Sequence, residues 1–320
     1  MSRSVSIDTA RYFGTAAPGR LADPLAITVT PKSFPPYLDD LSADWLASVG
    51  IPALRILARR RGRVAGFCSI GTGTGLDALG AIEVFAPDLV GITDVDEEIV
   101  AAARANIAGN LRGASPTLLA GVGDLLSPLA AHAPKFDVIY ENLPNVPSSA
   151  TAEQSTSARI SSNFFGPRAE EIPAEVQAAL LSLHYLALLQ SRDFLVPGGV
   201  VLSMLGARVP LGSFLAMSER AGYHASFLAY GWKLQAEADE ILRGHLDWQR
   251  RGLGPFHFHR LEDLREVFAG LSPEEAAPRA LEIEARLARR ALDAEAALAL
   301  HQSGTPVGHT YAVLHSELPR

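Results

Sequence analysis

The stretch from residue 64 to residue 85 constrains this chain most. A short apolar run at 64–70 leads directly into Gly71-Thr72-Gly73-Thr74-Gly75, and Leu76–Phe85 then has helical spacing. That is a strand, a glycine turn and a helix. Glycines at alternate positions let the backbone turn tightly and approach a ligand without Cβ interference. The same rhythm continues downstream. Residues 89–93 read as a strand, Glu97–Asn110 as an alanine-rich helix, and Thr117–Val122 and 136–140 as two more strands. A helix is expected over 174–192, stopped before Pro197-Gly198-Gly199, and a strand over 200–205. Strands alternating with helices imply a parallel sheet covered on both faces.

The ends of the chain depart from that rhythm. The first thirty residues, rich in proline and glycine, read as an irregular arm, followed by helices at 38–49 and 53–61. Two late strands, 223–232 and 309–315, are separated by a mostly helical insert with segments at 235–251, 261–269 and a long one ending near His301. Ser272-Pro273-Glu274-Glu275 is a helix start with a hydroxyl cap, a first-turn proline and a carboxylate three residues on. Pro278 should kink or restart that helix.

A Gly-x-Gly turn alone says little, but Asp94 lies 23 residues after Gly71 at the end of the next strand. An acid there can grip a ribose diol, so the pair points to a nucleoside cofactor. A nicotinamide dinucleotide is the default reading. Gly123-Asp124-Leu125 after the third strand points elsewhere, because a carboxylate or amide there can receive an adenine amino group. The expected cofactor contacts are Gly71, Thr72, Gly73, Gly75, Asp94, Val95, Gly123, Asp124 and Leu125.

Composition narrows the partners. Lys and Arg total 28 against 35 Asp and Glu, a net charge of −7, and the one basic cluster, Arg59, Arg60, Arg61 and Arg63, ends a helix where cations complement the dipole. No nucleic-acid partner is expected. Cys68 is the single cysteine, and His257 and His259 lack an evident third ligand, so neither a disulfide framework nor a metal site is expected. No apolar run suits a signal peptide or a membrane span, and a cytoplasmic location is expected.

Four stretches now resemble the motifs of class I S-adenosylmethionine-dependent methyltransferases: 67–75, 93–96, 123–129 and 136–147. The resemblance covers about residues 50 to 232 and is nearest to the Asn-Pro-Pro-Tyr subgroup, especially the release-factor glutamine methyltransferases. It implies an α/β fold with a doubly wound, seven-stranded Rossmann-like sheet, here with a helical insert between the last two strands. It also implies S-adenosylmethionine as cofactor. Four segments follow: an arm and helix at 1–50 that could serve as a lid, a cofactor-binding core at 51–232, a helical cap at 233–306 and the last core strand at 307–320.

In that resemblance Asn142 is the catalytic position. Its side-chain oxygen would accept a hydrogen bond from a substrate amine and align the nitrogen lone pair for in-line attack, so that positioning supplies most of the acceleration. Asn142 is also counted among the cofactor contacts. Tyr140 and Glu141 precede it and could line the pocket, with Glu141 pairing a substrate ammonium. The subgroup's aromatic fourth position is Asn145 here, and its second position is Leu143 instead of proline. Both changes disfavour a flat amide or base and favour a compact amine from small-molecule metabolism. Asn145, Phe165 and Arg168 are the expected substrate contacts. The alternative is a biosynthetic enzyme in which the amine of S-adenosylmethionine attacks its own γ-carbon, giving azetidine-2-carboxylate and methylthioadenosine, with Tyr185 and Ser203 as supporting hydroxyls. The insert would either cap the active site or form a homodimer interface.

Overall fold

The computed structural model describes residues 2–147 and 168–320. Among them are ten strands: β1 (Arg3–Ile7), β2 (Leu25–Val29), β3 (Gly66–Ile70), β4 (Leu89–Asp94), β5 (Thr117–Val122), β6 (Phe136–Glu141), β7 (Leu195–Ala207), β8 (His224–Leu234), β9 (His259–Arg260) and β10 (Val307–Glu317). Seven of them hydrogen-bond in the order β5-β4-β3-β6-β7-β10-β8, with β9 on β10, and β1 and β2 form a separate ribbon. The order runs one way from β3 to β5 and then reverses to β6. This is the doubly wound Rossmann-like arrangement, and the reversal between β3 and β6 is where such sheets open a crevice for ligands. A mostly helical insert that carries the short strand β9 lies between β8 and β10.

The chain forms two compact units, one of Met1–Asn142, Leu189–Leu202 and Glu317–Arg320, the other of Leu143–Leu188 and Ser203–Ser316. In the first unit β5, β4, β3 and β6 are parallel and in register, with Gly121, Thr93, Ile70 and Glu141 side by side in one row. β3 is buried along its whole length, as a central strand covered on both faces must be. The helices Leu76–Phe85 and Glu97–Asn110 have the bounds expected from their spacing, and Asp96 caps the second by accepting from Glu98 N–H (3.0 Å).

The N-terminal arm is not irregular, contrary to the sequence expectation. β1 and β2 pair antiparallel from Arg3↔Val29 to Ile7↔Leu25, and between them Asp8 caps a short helix, Thr9–Phe13, that buries Tyr12 and Phe13. The outer edge of β2 is closed by two asparagines of the helix Glu97–Asn110. Asn110 exchanges hydrogen bonds with Ala26 N–H (2.8 Å) and C=O (2.9 Å), and Asn106 does the same with Thr28 (2.8 and 2.9 Å). Four helical residues rise about 6 Å and two strand residues about 6.6 Å, so a helix can mimic a neighbouring strand in this way.

Three other elements differ from expectation. The helix at 38–49 reduces to a π-turn, Leu46–Gly50, that runs into the helix Ile51–Arg61. Asp40 and Asp44 explain this: their carboxylates take the N–H groups of Ser42 (2.9 Å), Tyr37 (3.0 Å) and Ala47 (2.8 Å), competing with helical pairing. The helix at 174–192 is broken into Ala174–Ala178 and Ser182–Ser191 by Leu180, whose φ is 61°. Leu180 and Leu181 are both buried, and their packing overrides helix propensity. Pro197-Gly198-Gly199 does not precede a strand but lies inside β7, where Gly198 at φ 70° relieves the backbone.

The second unit holds the end of β7, β8, most of β10 and the insert. The insert comprises helices Ala238–Arg250, Leu261–Val267, Pro273–Ala276, Ala280–Ala288 and Ala294–Gln302, so the long final segment is in pieces. Ser272 and Glu275 form the expected capping box, and Pro278 falls in a 3-10 turn, Ala277–Arg279, where the helix restarts. Arg290 ties the pieces together through Asp263 (2.9 Å) and Glu266 (2.7 Å). No helix of the described residues is long and apolar enough to cross a membrane.

Candidate functional site

The candidate site is built on the carboxyl ends of β4, β3 and β6 in the first unit. One step beyond the row Gly121, Thr93, Ile70 and Glu141, Asp94 pairs with Val122, while Gly71 and Asn142 are the residues that follow β3 and β6 in the chain. Neighbouring strands lie about 4.8 Å apart, so the carboxyl ends of β4 and β6 stand about 10 Å apart with the glycine turn between them.

The turn is pinned from both sides. Gly71 and Thr72 N–H donate to Thr93 C=O (2.8 and 3.0 Å), and Gly75 N–H donates to Thr72 C=O (2.9 Å). Gly71, Gly73 and Gly75 all have positive φ (67°, 53° and 81°), a conformation only glycine adopts cheaply. A Cβ on Gly75 would meet the Ala103 carbonyl at 3.1 Å, whereas a Cβ on Gly73 would meet none of the described residues within 4 Å. Gly75 is therefore needed for packing, and Gly73 is open toward a ligand as far as the described residues go. Gly73 N–H donates to Asp94 Oδ2 (3.3 Å), and Asp96 N–H to Asp94 Oδ1 (3.4 Å). Burial pushes the Asp94 carboxyl up, against the opposing pull of the Gly73, Asp96 and Val95 backbone groups.

Apolar side chains flank this acid. Val95 is 50% exposed and Val122 46% exposed, both beside Asp94 at the same sheet edge. Gly123 N–H donates to Asp94 C=O (2.9 Å). Asp124 accepts from Gln190 Nε2 (2.9 Å), and Gln190 Oε1 accepts in turn from Leu126 N–H (3.0 Å), which orients the carboxylate. Leu125 is buried with φ 48° in the turn between them.

Below the turn sits an acid that the sequence did not single out. Asp77, in the first turn of the helix Leu76–Phe85, accepts from Ser69 Oγ, Thr72 Oγ1 (2.9 Å) and Ala78 N–H (2.7 Å). Burial pushes its carboxyl up to about 6 despite these donors. Its only sequence signal was an acid two residues after the last loop glycine. Asp44, also missed, is buried and accepts from Tyr12 Oη (3.0 Å). Tyr140 is buried with its ring 6.3 Å from that of Phe67; burial first, then the charges of Asp77, Glu141 and Asp44, hold its hydroxyl well above the ordinary phenol range. Glu141 is fully buried, and Asn142, the next residue, is exposed. This end of the sheet is rich in negative charge.

The remaining expected residues lie in the second unit. Asn145 is buried and its Nδ2 donates to Gly206 C=O (2.7 Å). Arg168 pairs with Glu170 of its own loop (3.4 Å). Tyr185 and Ser203 are buried, and Ser203 Oγ has no hydrogen-bond partner among the described residues. Phe165 lies outside the described residues. His259 pairs in the short strand β9, and no group of three or more His, Cys, Asp or Glu among the described residues is placed to hold a metal ion.

No family model matches the chain, and no curated protein matches it. Among solved structures it is similar to SMU.776 complexed with SAH, at 12% identity over 68% of this chain and 51% of that one (TM-score 0.42). It is similar to a methyltransferase from Pyrococcus furiosus, at 21% identity over 64% and 82% (TM-score 0.37). A third is the T. thermophilus 16S rRNA N2 G1207 methyltransferase in complex with AdoMet and guanosine, at 16% identity over 74% and 48% (TM-score 0.41). The chain thus spans about half the length of the first and third of these.

Proposed function

We propose that the first unit binds S-adenosylmethionine across the tips of β4, β3 and β6, and that the protein is a transferase of the class I methyltransferase type acting on an amine nitrogen of a small molecule. The observation that carries this reading is the glycine turn after β3 at the reversal of the sheet, with Asp94 ending β4, Asn142 directly after β6, and none of the described residues within 4 Å of a Cβ on Gly73. The residues present suit the cofactor. Asp94 can accept both ribose hydroxyls, Val95 and Val122 offer apolar faces to a purine, and Asp124, oriented by Gln190, can receive an exocyclic amine. The charge also fits. Asp77 and Asp94 owe their raised values to burial, and Glu141 and Asp44 add negative charge nearby. A ligand with a sulfonium and an ammonium gains from such a field, whereas a pyrophosphate would be repelled.

When bound, S-adenosylmethionine supplies an electrophilic carbon on a positively charged sulfur. The chain then has only to bring a nucleophile into line and keep water out. Asn142 Oδ1 accepts a hydrogen bond from the amine, fixing its lone pair along the bond that breaks. The acidic net charge and the pairing of Arg61 with Asp137 (3.6 Å) and Arg63 with Asp88 (2.6 Å) favour a small molecule over nucleic acid.

The test is incubation with S-adenosylmethionine, alone and with a panel of small amines. Adenosylhomocysteine formed only with an amine supports the reading, as does Asn142→Ala losing about 10²-fold in turnover with cofactor affinity kept. Methylthioadenosine formed without an acceptor would replace it with the ring-forming reaction that yields azetidine-2-carboxylate. Tight binding of a nicotinamide dinucleotide and none of S-adenosylmethionine, by calorimetry, would overturn it.

A further inference from the structure

The second unit buries a cation that has no anion among the described residues. Arg208 follows the last residue of β7 and is 6% exposed. Its Nε donates to Gln235 Oε1 (2.9 Å), and its Nη2 donates to His309 Nε2 (3.0 Å). His309 Nδ1 faces the Thr310 carbonyl (2.8 Å), which can only accept, so the ring holds its proton there and is neutral with Nε2 as acceptor. No carboxylate of the described residues pairs with Arg208, and burial alone pushes its guanidinium down to about 9. Among the described residues, the charged and titratable groups that act on this cluster are cations and imidazoles. Lys233 and Arg208 both act on His309, whose imidazole is held well below the ordinary range, and burial followed by the charge of Arg208 pushes His245 down to about 3.

Buried charges in proteins are paired, because a lone buried ion costs several kcal/mol. Here both partners of the guanidinium are neutral. Nη1 and the second hydrogen of Nη2 form the end-on edge of the fork, the edge that matches the two oxygens of a carboxylate. Nη1 lies against Gly206, and a Cβ there would strike it and come within 3.3 Å of Asn145 Oδ1. The glycine thus leaves room for the fork, with an amide oxygen beside it. Asn145 Nδ2 is already used on Gly206 C=O (2.7 Å), which fixes that oxygen in place.

We propose that Arg208 anchors a carboxylate-binding site in the second unit, its Nη1–Nη2 edge taking both oxygens of a small-molecule acid and Asn145 Oδ1 accepting from a donor on the same molecule. A single cation set among neutral partners suits a monoanion better than a phosphate dianion. The site stands without the transferase reading.

The test uses the full-length protein without any adenosyl compound, so failure here leaves nucleoside binding by the first unit untouched. Thermal unfolding is followed with sodium acetate, acetamide, inorganic phosphate and sodium chloride at matched ionic strength. In parallel, the Arg208 Nε–H NMR resonance, assigned by its loss in Arg208→Lys, is followed in the wild type. Acetate should raise the midpoint above chloride and acetamide and move that resonance. Arg208→Lys keeps the charge but loses the fork, and acetate binding should weaken about tenfold or more. An acetate response equal to that of acetamide, a resonance unmoved by acetate, or acetate binding unchanged in Arg208→Lys would overturn the proposal. A larger response to phosphate than to acetate would overturn the assignment to carboxylic acids.

Discussion

Replacing Asp77 with Asn removes a charge that the fold buries at a cost, and the cost can be read as a function of pH. In the folded protein burial pushes this carboxyl up to about 6 from an ordinary value of 3.8. The folded state therefore holds the proton more tightly than the unfolded state does. The stabilisation this gives is fully present below about pH 4 and is lost as pH rises through about 6. Two pKa units at about 1.4 kcal/mol each make the ionised wild type about 3 kcal/mol less stable near neutrality than it would be with the group neutral. Asn carries no charge, and its exchange of an oxygen for an amide shifts stability by an amount that does not depend on pH. In urea unfolding of both proteins from about pH 4 to about pH 7, the stability of Asp77→Asn minus that of the wild type should therefore rise by about 3 kcal/mol. Most of the rise should fall between the two pKa values. A difference that stays flat, or that falls with pH, would refute the reasoning, because it would mean that the donors Ser69, Thr72 and Ala78 outweigh burial.

The glycine turn yields a paired prediction. Both Gly73→Ala and Gly75→Ala strain a positive φ by about 1 kcal/mol, but only Gly75→Ala also meets the Ala103 carbonyl, so it should lose more stability in urea unfolding. Gly73→Ala should instead stay folded and lose affinity for S-adenosylmethionine in calorimetry, since its methyl enters the open space above the turn. Asp94→Asn should weaken that affinity by about tenfold to a hundredfold, and wild-type affinity should fall with acidification at a pH above the ordinary carboxylate range, because burial raises the group. Asn106→Ala leaves Thr28 N–H and C=O and Thr74 C=O without their side-chain partner, and should cost about 2–4 kcal/mol of stability by urea unfolding.

Strands and helices near the glycine turn were legible because each has a local cause. Residues 66–70 are apolar apart from Ser69, and Asp96 stands where a cap must stand, so element bounds there follow from sequence period and end chemistry. The departures have non-local causes. The strand β2 depends on Asn106 and Asn110, about 80 residues downstream, which look like ordinary polar helix positions until the strand they close is known. The break at Leu180 depends on burial of two consecutive leucines, which no spacing rule anticipates. The lost helix at 38–49 had a local signal after all: Asp40 and Asp44 are side chains that compete with helical pairing, and the hydrophobic pattern overrode them.

The same division runs through the chemistry. Gly71, Gly73, Gly75, Asp94 and Asn142 can be picked from the chain because each lies at or just after the end of a parallel strand, and a parallel sheet brings such ends to one edge whatever the connecting helices do. The charged group for the other ligand has no comparable address. Arg168 looked suitable because it lies in a loop, but a loop arginine is free to find a neighbour, and this one has Glu170 two residues away. Arg208 looks like an ordinary strand-end cation in the sequence. What sets it apart is that Gln235, His309 and Asn145, from three distant segments, surround it without offering a charge. Net charge at a buried point is a property of everything packed around it. An arginine kept for a ligand is therefore recognised by the carboxylate that is missing, which only the folded chain can show.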